Sequence, residues 1–272
     1  MVAGLSWGQA GSQIVISEAV IAQFEDGPQI GTGFLFGPGD PVFISLRFKG
    51  YGKSKDEEKP RIHLSWQVET LDPDGVPIVE PKRDKVDVEL APQDKNWMPK
   101  ARHDFVLPSL ADSGTYRVIL TVKDEVNGTA AKKEMELRVK GHEVEKSEKL
   151  VARNFRWLRT EEDGQPLKSP AYRPGDQVWA RFEMTGYKIG EKNAHTIAYG
   201  LEVFRADGKS MYNEPTAAQD TGESFYRKRY LPGVLNLNLQ PDIAKGEYTI
   251  VLRLRDELGG QTDESKHSFQ VE

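Results

Sequence analysis

The sequence predicts an all-β protein built as two tandem antiparallel β-sandwich domains of about seven strands each. Three observations carry that reading. First, the chain repeats itself. Gly37-Pro38-Gly39-Asp40, a strand and Gly50-Tyr51 return as Arg173-Pro174-Gly175-Asp176, a strand and Gly186-Tyr187, 136 residues later. Gly114-Thr115-Tyr116 with Asp124-Glu125 returns as Gly246-Glu247-Tyr248 with Asp256-Glu257, 132 residues later. Second, short runs alternate apolar and polar residues, the period of a half-buried strand, with turn residues between them. Third, no segment holds a helical period for long.

Each unit opens with a strand, near Gln13 to Phe24 and near Leu150 to Leu158. The next strand carries Val42, Ile44, Leu46 and Phe48 on one face, and in the second unit Val178, Ala180, Phe182 and Met184. Ile62 to Leu71 and Ile197 to Phe204 follow, ending at Asp72-Pro73-Asp74-Gly75 and at Asp207-Gly208. Asp-Gly supplies the positive φ of a tight hairpin. An irregular, Pro-rich middle is expected from Glu80 to Pro99 and from Glu214 to Pro232, then one strand near Arg102 to Leu107 and near Val234 to Leu239. Ala111-Asp112-Ser113 is read as one helical turn. A final hairpin turns at Asn127-Gly128 in the first unit and at Gly259-Gly260 in the second. The domain boundaries are set at 13–140 and 148–272, with the polar stretch 141–147 as linker.

Residues 1–12 are read as a signal-peptide remnant or a disordered N-terminus. Gly8-Gln9-Ala10 is the small-x-small pattern that signal peptidase prefers, but no basic start precedes it. An exported chain, periplasmic or extracellular, is therefore the expectation, and a cytoplasmic setting stays open. The chain has no Cys, so disulfides, thiolate metal sites and a Cys nucleophile are excluded. A net charge of −5 with both signs interspersed gives no footprint for nucleic acid. No apolar run approaches the roughly 18 residues of a membrane span. A monomer without a cofactor is expected.

The most specific local signature is Asp112-Ser113-Gly114-Thr115-Tyr116. It resembles the D-x-G-x-Y corner of immunoglobulin-like domains, in which the Tyr hydroxyl bonds back to nearby backbone. The second unit keeps Gly246 and Tyr248 and has Ala244 where the Asp would stand. The resemblance implies that Val118 and Ile250 occupy one half-cystine position, Leu46 and Phe182 the other, and Trp66 and Tyr199 the core Trp position. The run of alternating residues after Gly114-Thr115-Tyr116 also looks like bacterial modules of the polycystic-kidney-disease and fibronectin type III kind. Such a resemblance implies adhesion, spacer or protein- and glycan-binding roles in exported bacterial proteins. The expected function is a non-enzymatic binding or structural module; the alternative is an accessory or inhibitor protein of an exported enzyme.

Residues that could carry chemistry are few. Asp72-Pro73-Asp74-Gly75 lacks the further oxygens of a calcium loop and reads as a turn. Asp124, Glu125, Asp256 and Glu257 are the calcium candidates, with Glu143 and Glu145 as further ligands of an interdomain site; the competing reading makes them turn residues. His63, His103, His142, His195 and His267 form no metal-binding pair, and His63 and His195, which differ by one register position at the start of matching strands, read as surface residues. No G-x-S-x-G elbow or phosphate loop is present. Two unshared features remain as binding candidates. Phe225, Tyr226, Arg227, Arg229 and Tyr230, with Lys228 among them, could stack on sugar rings or grip an acidic partner, or could form a charged edge strand. Trp97 either caps the first sandwich or is exposed for a partner.

Overall fold

The computed structural model describes residues 13–54, 59–162 and 164–272. The signal-peptide reading of residues 1–12 lies outside them. The chain divides into two compact units, Met1–His142 and Glu143–Glu272.

The first unit has β1 (Val15–Ala22), β2 (Pro41–Lys49), β3 (Arg61–Leu71), β4 (Lys82–Glu89), β5 (Lys100–Val106), β6 (Gly114–Asp124) and β7 (Ala130–Val139). They form two antiparallel sheets, ordered β1-β2-β5 and β4-β3-β6-β7. The alternation works as read. Val42, Ile44, Leu46 and Phe48 of β2 are buried, as are Trp66 of β3 and Val118 of β6. No disulfide is needed at the position of Leu46 and Val118, because burying such side chains stabilises by about 1.5–3 kcal/mol each, comparable with a disulfide.

The second unit has β8 (Val151–Leu158), β9 (Ala171–Tyr172), β10 (Gln177–Thr185), β11 (His195–Arg205), β12 (Ser210–Gly222), β13 (Tyr230–Asn238), β14 (Gly246–Asp256) and β15 (Gln261–Val271). Its sheets are ordered β13-β10-β8 and β12-β11-β14-β15-β9. Short β9 pairs in parallel with the end of β15, so this unit carries an eighth strand. In the first unit the same place holds only a single parallel bridge, Phe36 to Val139. The core gathers Phe182, Tyr199, Ile250 and Phe269 in one cluster, with the Phe182 and Tyr199 rings edge-on at 5.2 Å.

The repeated residues build the scaffold. Pro38 and Gly39 form a turn with Gly39 at φ +83°, and Pro174 and Gly175 form the same turn with Gly175 at φ +88°. Asp40 Oδ2 accepts the Gly37 N–H at 2.6 Å and Asp176 Oδ2 accepts the Arg173 N–H at 2.8 Å. Gly50 and Gly186 have φ of +71° and +77°, and a Cβ on them would lie 2.2 and 2.0 Å from the carbonyl oxygens of Gln13 and Lys149. Tyr116 donates to the Asp112 carbonyl at 3.0 Å and Tyr248 to the Ala244 carbonyl at 2.7 Å. The bond goes to main chain, so loss of the Asp in the second unit leaves it intact.

Three expectations are corrected. The Pro-rich middles contain the edge strands β4 and β12. Both were illegible because an edge strand exposed on most of its length need not alternate. Pro215 fits β12 at an irregularity where the register steps from Tyr199–Ala218 to Leu201–Glu214, a position that needs no N–H donor. Ala111-Asp112-Ser113 is not helical; the short 3-10 turns are Asp94–Asn96 and Glu191–Asn193. His195 is buried rather than on the surface, with its ring 3.2 Å from Asp220.

Candidate functional site

Asp124 and Asp256 are fully buried at the ends of β6 and β14. Asp124 Oδ2 accepts the Gly52 N–H at 2.6 Å, and its Oδ1 accepts those of Val126 and Asn127 at 2.9 and 3.3 Å. Asp256 Oδ2 accepts the Lys188 N–H at 2.7 Å, and its Oδ1 accepts those of Leu258 and Gly259 at 3.1 and 2.9 Å. Each carboxylate therefore clamps two loops through main-chain donors, and these N–H groups stand where a cation would have to approach. Glu125 and Glu257 point outward to Lys123 at 2.5 Å and Arg255 at 3.4 Å. Among the described residues no three His, Asp or Glu side chains are placed to hold a metal. In this geometry Asp124 and Asp256 act as loop clamps, and Glu125 and Glu257 form surface ion pairs.

Trp97 lies between the 3-10 turn Asp94–Asn96 and β5, and is 38% exposed. The Tyr51 hydroxyl donates to the Trp97 main-chain carbonyl at 2.8 Å, which fixes the loop under the indole. Burial, and secondarily the Asp94 carboxylate, push the Tyr51 phenol up, so it stays a donor. Tyr51, Trp97 and Met98 line an open groove of about 570 Å³ with Lys49 and Lys53 at its rim. Sequence reading found Trp97 alone. The signal for Tyr51 was present in the repeated Gly-Tyr pair but was assigned to scaffold.

Phe225 to Arg229 form a loop leading into β13, and Tyr230 is the first residue of that edge strand. Tyr226 and Tyr230 are buried, at 6% and 5% exposure, so their rings are unavailable for stacking; Phe225 is 50% exposed. Arg227, Lys228 and Arg229 are half-buried. Tyr187 donates to the Lys228 carbonyl at 2.6 Å. This is the counterpart of the Tyr51 bond to Trp97, so the two candidates lie at the same place in the two units.

A second groove, of about 920 Å³, lies in the second unit beside Trp179, Arg159 and Gln177. The Trp179 indole N–H donates to Gln177 Oε1 at 3.3 Å, and the Arg159 guanidinium sits 5.6 Å from the Tyr172 ring centre. The alternation of β10 already placed Trp179 on the outward face, and that was the overlooked signal.

No protein-family model matches the chain, and no curated protein matches it in sequence. Among solved structures it is similar to the C-terminal domain of the Streptococcus pyogenes antigen I/II-family protein AspA, at 11% identity over 96% of this chain and 99% of that one, TM-score 0.30. It is similar to the C-terminal domain of the Streptococcus agalactiae AgI/II polypeptide BspA, at 8% identity over 93% and 99%, TM-score 0.29. A family 123 glycoside hydrolase from Clostridium perfringens is similar at 12% identity over 45% of this chain, TM-score 0.31, and the chain spans 27% of that enzyme. At these TM-scores the likenesses carry no argument for fold or function.

Proposed function

We propose that this chain is a non-enzymatic binding module of an exported bacterial protein, engaging a protein or glycan through the Trp97 groove of the first unit. The observation that supports it is an exposed Trp held in place by Tyr51 at an open groove. A rigid aromatic on a fixed loop contributes contact area at low entropic cost, which is what an anchor residue requires. The recurrent acids, by contrast, serve the scaffold.

The test is capture from a native extract and from insoluble cell-wall glycan, with the wild type and Trp97→Ala compared. Retention that falls at least about tenfold in the variant supports the groove as anchor. A single captured enzyme would favour the accessory or inhibitor role, and glycan retention would favour adhesion. Equal retention of both proteins would overturn the assignment of Trp97.

A further inference from the structure

The outward face of the β4-β3-β6-β7 sheet forms an open groove of about 770 Å³. Two rows of residues cross it. One runs Lys85, Ser65, Lys123, Ala130 and the next Arg83, Gln67, Thr121, Lys132, each residue opposite the next across neighbouring strands. The four cations are solvent-exposed. They frame a floor of short polar side chains, Ser65, Gln67 and Thr121. The strip spans three strand spacings, about 14 Å, and its two rows lie about 7 Å apart.

The cations are incompletely neutralised. Lys123 pairs with Glu125 at 2.5 Å, and Arg83 Nε donates to Gln67 Oε1 at 2.9 Å. Lys85 stands near enough to Glu125 to help hold that carboxyl below its usual range, after Lys123 and Ser65. Asp84, also in the lining, accepts the Lys85 main-chain N–H at 2.8 Å. Among the described residues no carboxylate lies within ion-pair distance of Lys85, Lys132 or the Arg83 guanidinium. The same face of the second unit is built otherwise. Arg253 is held by Glu202 at 2.9 Å and Glu264 at 3.1 Å, and Arg255 by the Pro215 carbonyl and Thr216 at 2.7 and 2.8 Å. Glu264 stands where the first unit has Lys132.

We infer that this strip binds an anionic polysaccharide, one bearing carboxylate or sulfate groups along its length. The inference rests on the reading of the chain as a binding module and names a ligand class for a second face of it. Charge complementarity points to an anion. The floor offers hydroxyl and amide partners suited to sugar hydroxyls. A protein partner is disfavoured because interface centres are depleted in Lys, Ser and Ala and carry large anchors, which this face lacks. Asp87 and Glu125 flank the strip on one side, and Glu69 and Glu134 on the other, with Asp87 paired to Arg61 and Glu134 near Arg117.

The test uses the whole chain with polygalacturonate as the carboxylate probe, heparin as the sulfate probe and dextran as the neutral control, by affinity electrophoresis. The wild type is expected to be retarded by at least one anionic polymer, not by dextran, and less so as salt rises. The double variant Lys85→Glu/Lys132→Glu should weaken retardation by about tenfold or more, since each reversal replaces attraction with repulsion. Lys266→Glu, on the outward face of β15, should change it little. An unchanged melting temperature shows that the variants fold. Wild-type indifference to both polymers, or equal retardation of the double variant, overturns the inference. If the wild type ignores both polymers yet is retained through Trp97 by a protein or neutral glycan, this inference falls and the binding-module reading stands. Capture of an acidic protein lost in the double variant would replace the glycan with that partner class.

Discussion

The loop before β5 in the first unit and the loop before β13 in the second are pinned by the same bond, a Tyr hydroxyl to a main-chain carbonyl, yet they present different surfaces. In the second unit Tyr187 is 8% exposed and Tyr226 and Tyr230 are buried with it. In the first, Tyr51 is only half-buried and Trp97 stands out at the groove. The outward sheet faces differ in the same sense, with arginines tied internally in the second unit and cations left open in the first. Residues that recur in both units hold the scaffold together. Residues that differ decide which surface stays available, and the Trp97 groove and the basic strip belong to the first unit.

The comparison breaks most readily at the loop clamps. Asp124→Ala and Asp256→Ala each strand three main-chain donors and should each cost about 3–5 kcal/mol, in chemical denaturation. A large loss at one and none at the other would show that the pair is not one shared device. Next come the two tyrosines. Tyr187→Phe leaves the part-buried Lys228 carbonyl without its donor and should cost about 1–2 kcal/mol, whereas water can replace the hydroxyl in the exposed bond of Tyr51→Phe, for about 0.5 kcal/mol. Equal costs would erase the proposed contrast between a closed and an open loop.

A smaller effect is expected with pH. His267 stacks on Phe155 at 3.4 Å between ring centres, and burial lowers its pKa; burial also lowers that of His103. A depressed His pKa means the unfolded chain binds more protons, so both units should lose stability as pH falls from about 6.5 through the folded-state values. Melting temperature measured against pH should flatten below that point in His267→Phe. The smallest expected effect is that of calcium. Millimolar calcium should leave the melting temperature unchanged, and a rise would restore a metal role to Asp124 or Asp256.

Much of the fold was legible because inward faces alternate and turns need particular residues. Val42 to Phe48 and the turn at Gly39 followed from local chemistry, and the corner at Tyr116 from the resemblance to immunoglobulin-like domains. The edge strands β4 and β12 were not legible, since their pairing depends on partners distant in sequence and their exposed faces carry no period. The site was legible only in part. Trp97 stood out by being unshared, but the exposure of Trp97 and the burial of Tyr226 and Tyr230 are set by tertiary packing. The basic strip required knowing that β4 lies beside β3, which brings Lys85 and Lys132 onto one face.

The most direct test of the account is the affinity of the captured partner for Trp97→Ala and for Phe225→Ala, the exposed aromatics of the two corresponding loops, with melting temperatures measured alongside. The account predicts an affinity loss of about tenfold or more for Trp97→Ala, little change for Phe225→Ala, and stability within about 0.5 kcal/mol of wild type for both. Affinity lost in Phe225→Ala and kept in Trp97→Ala would contradict it.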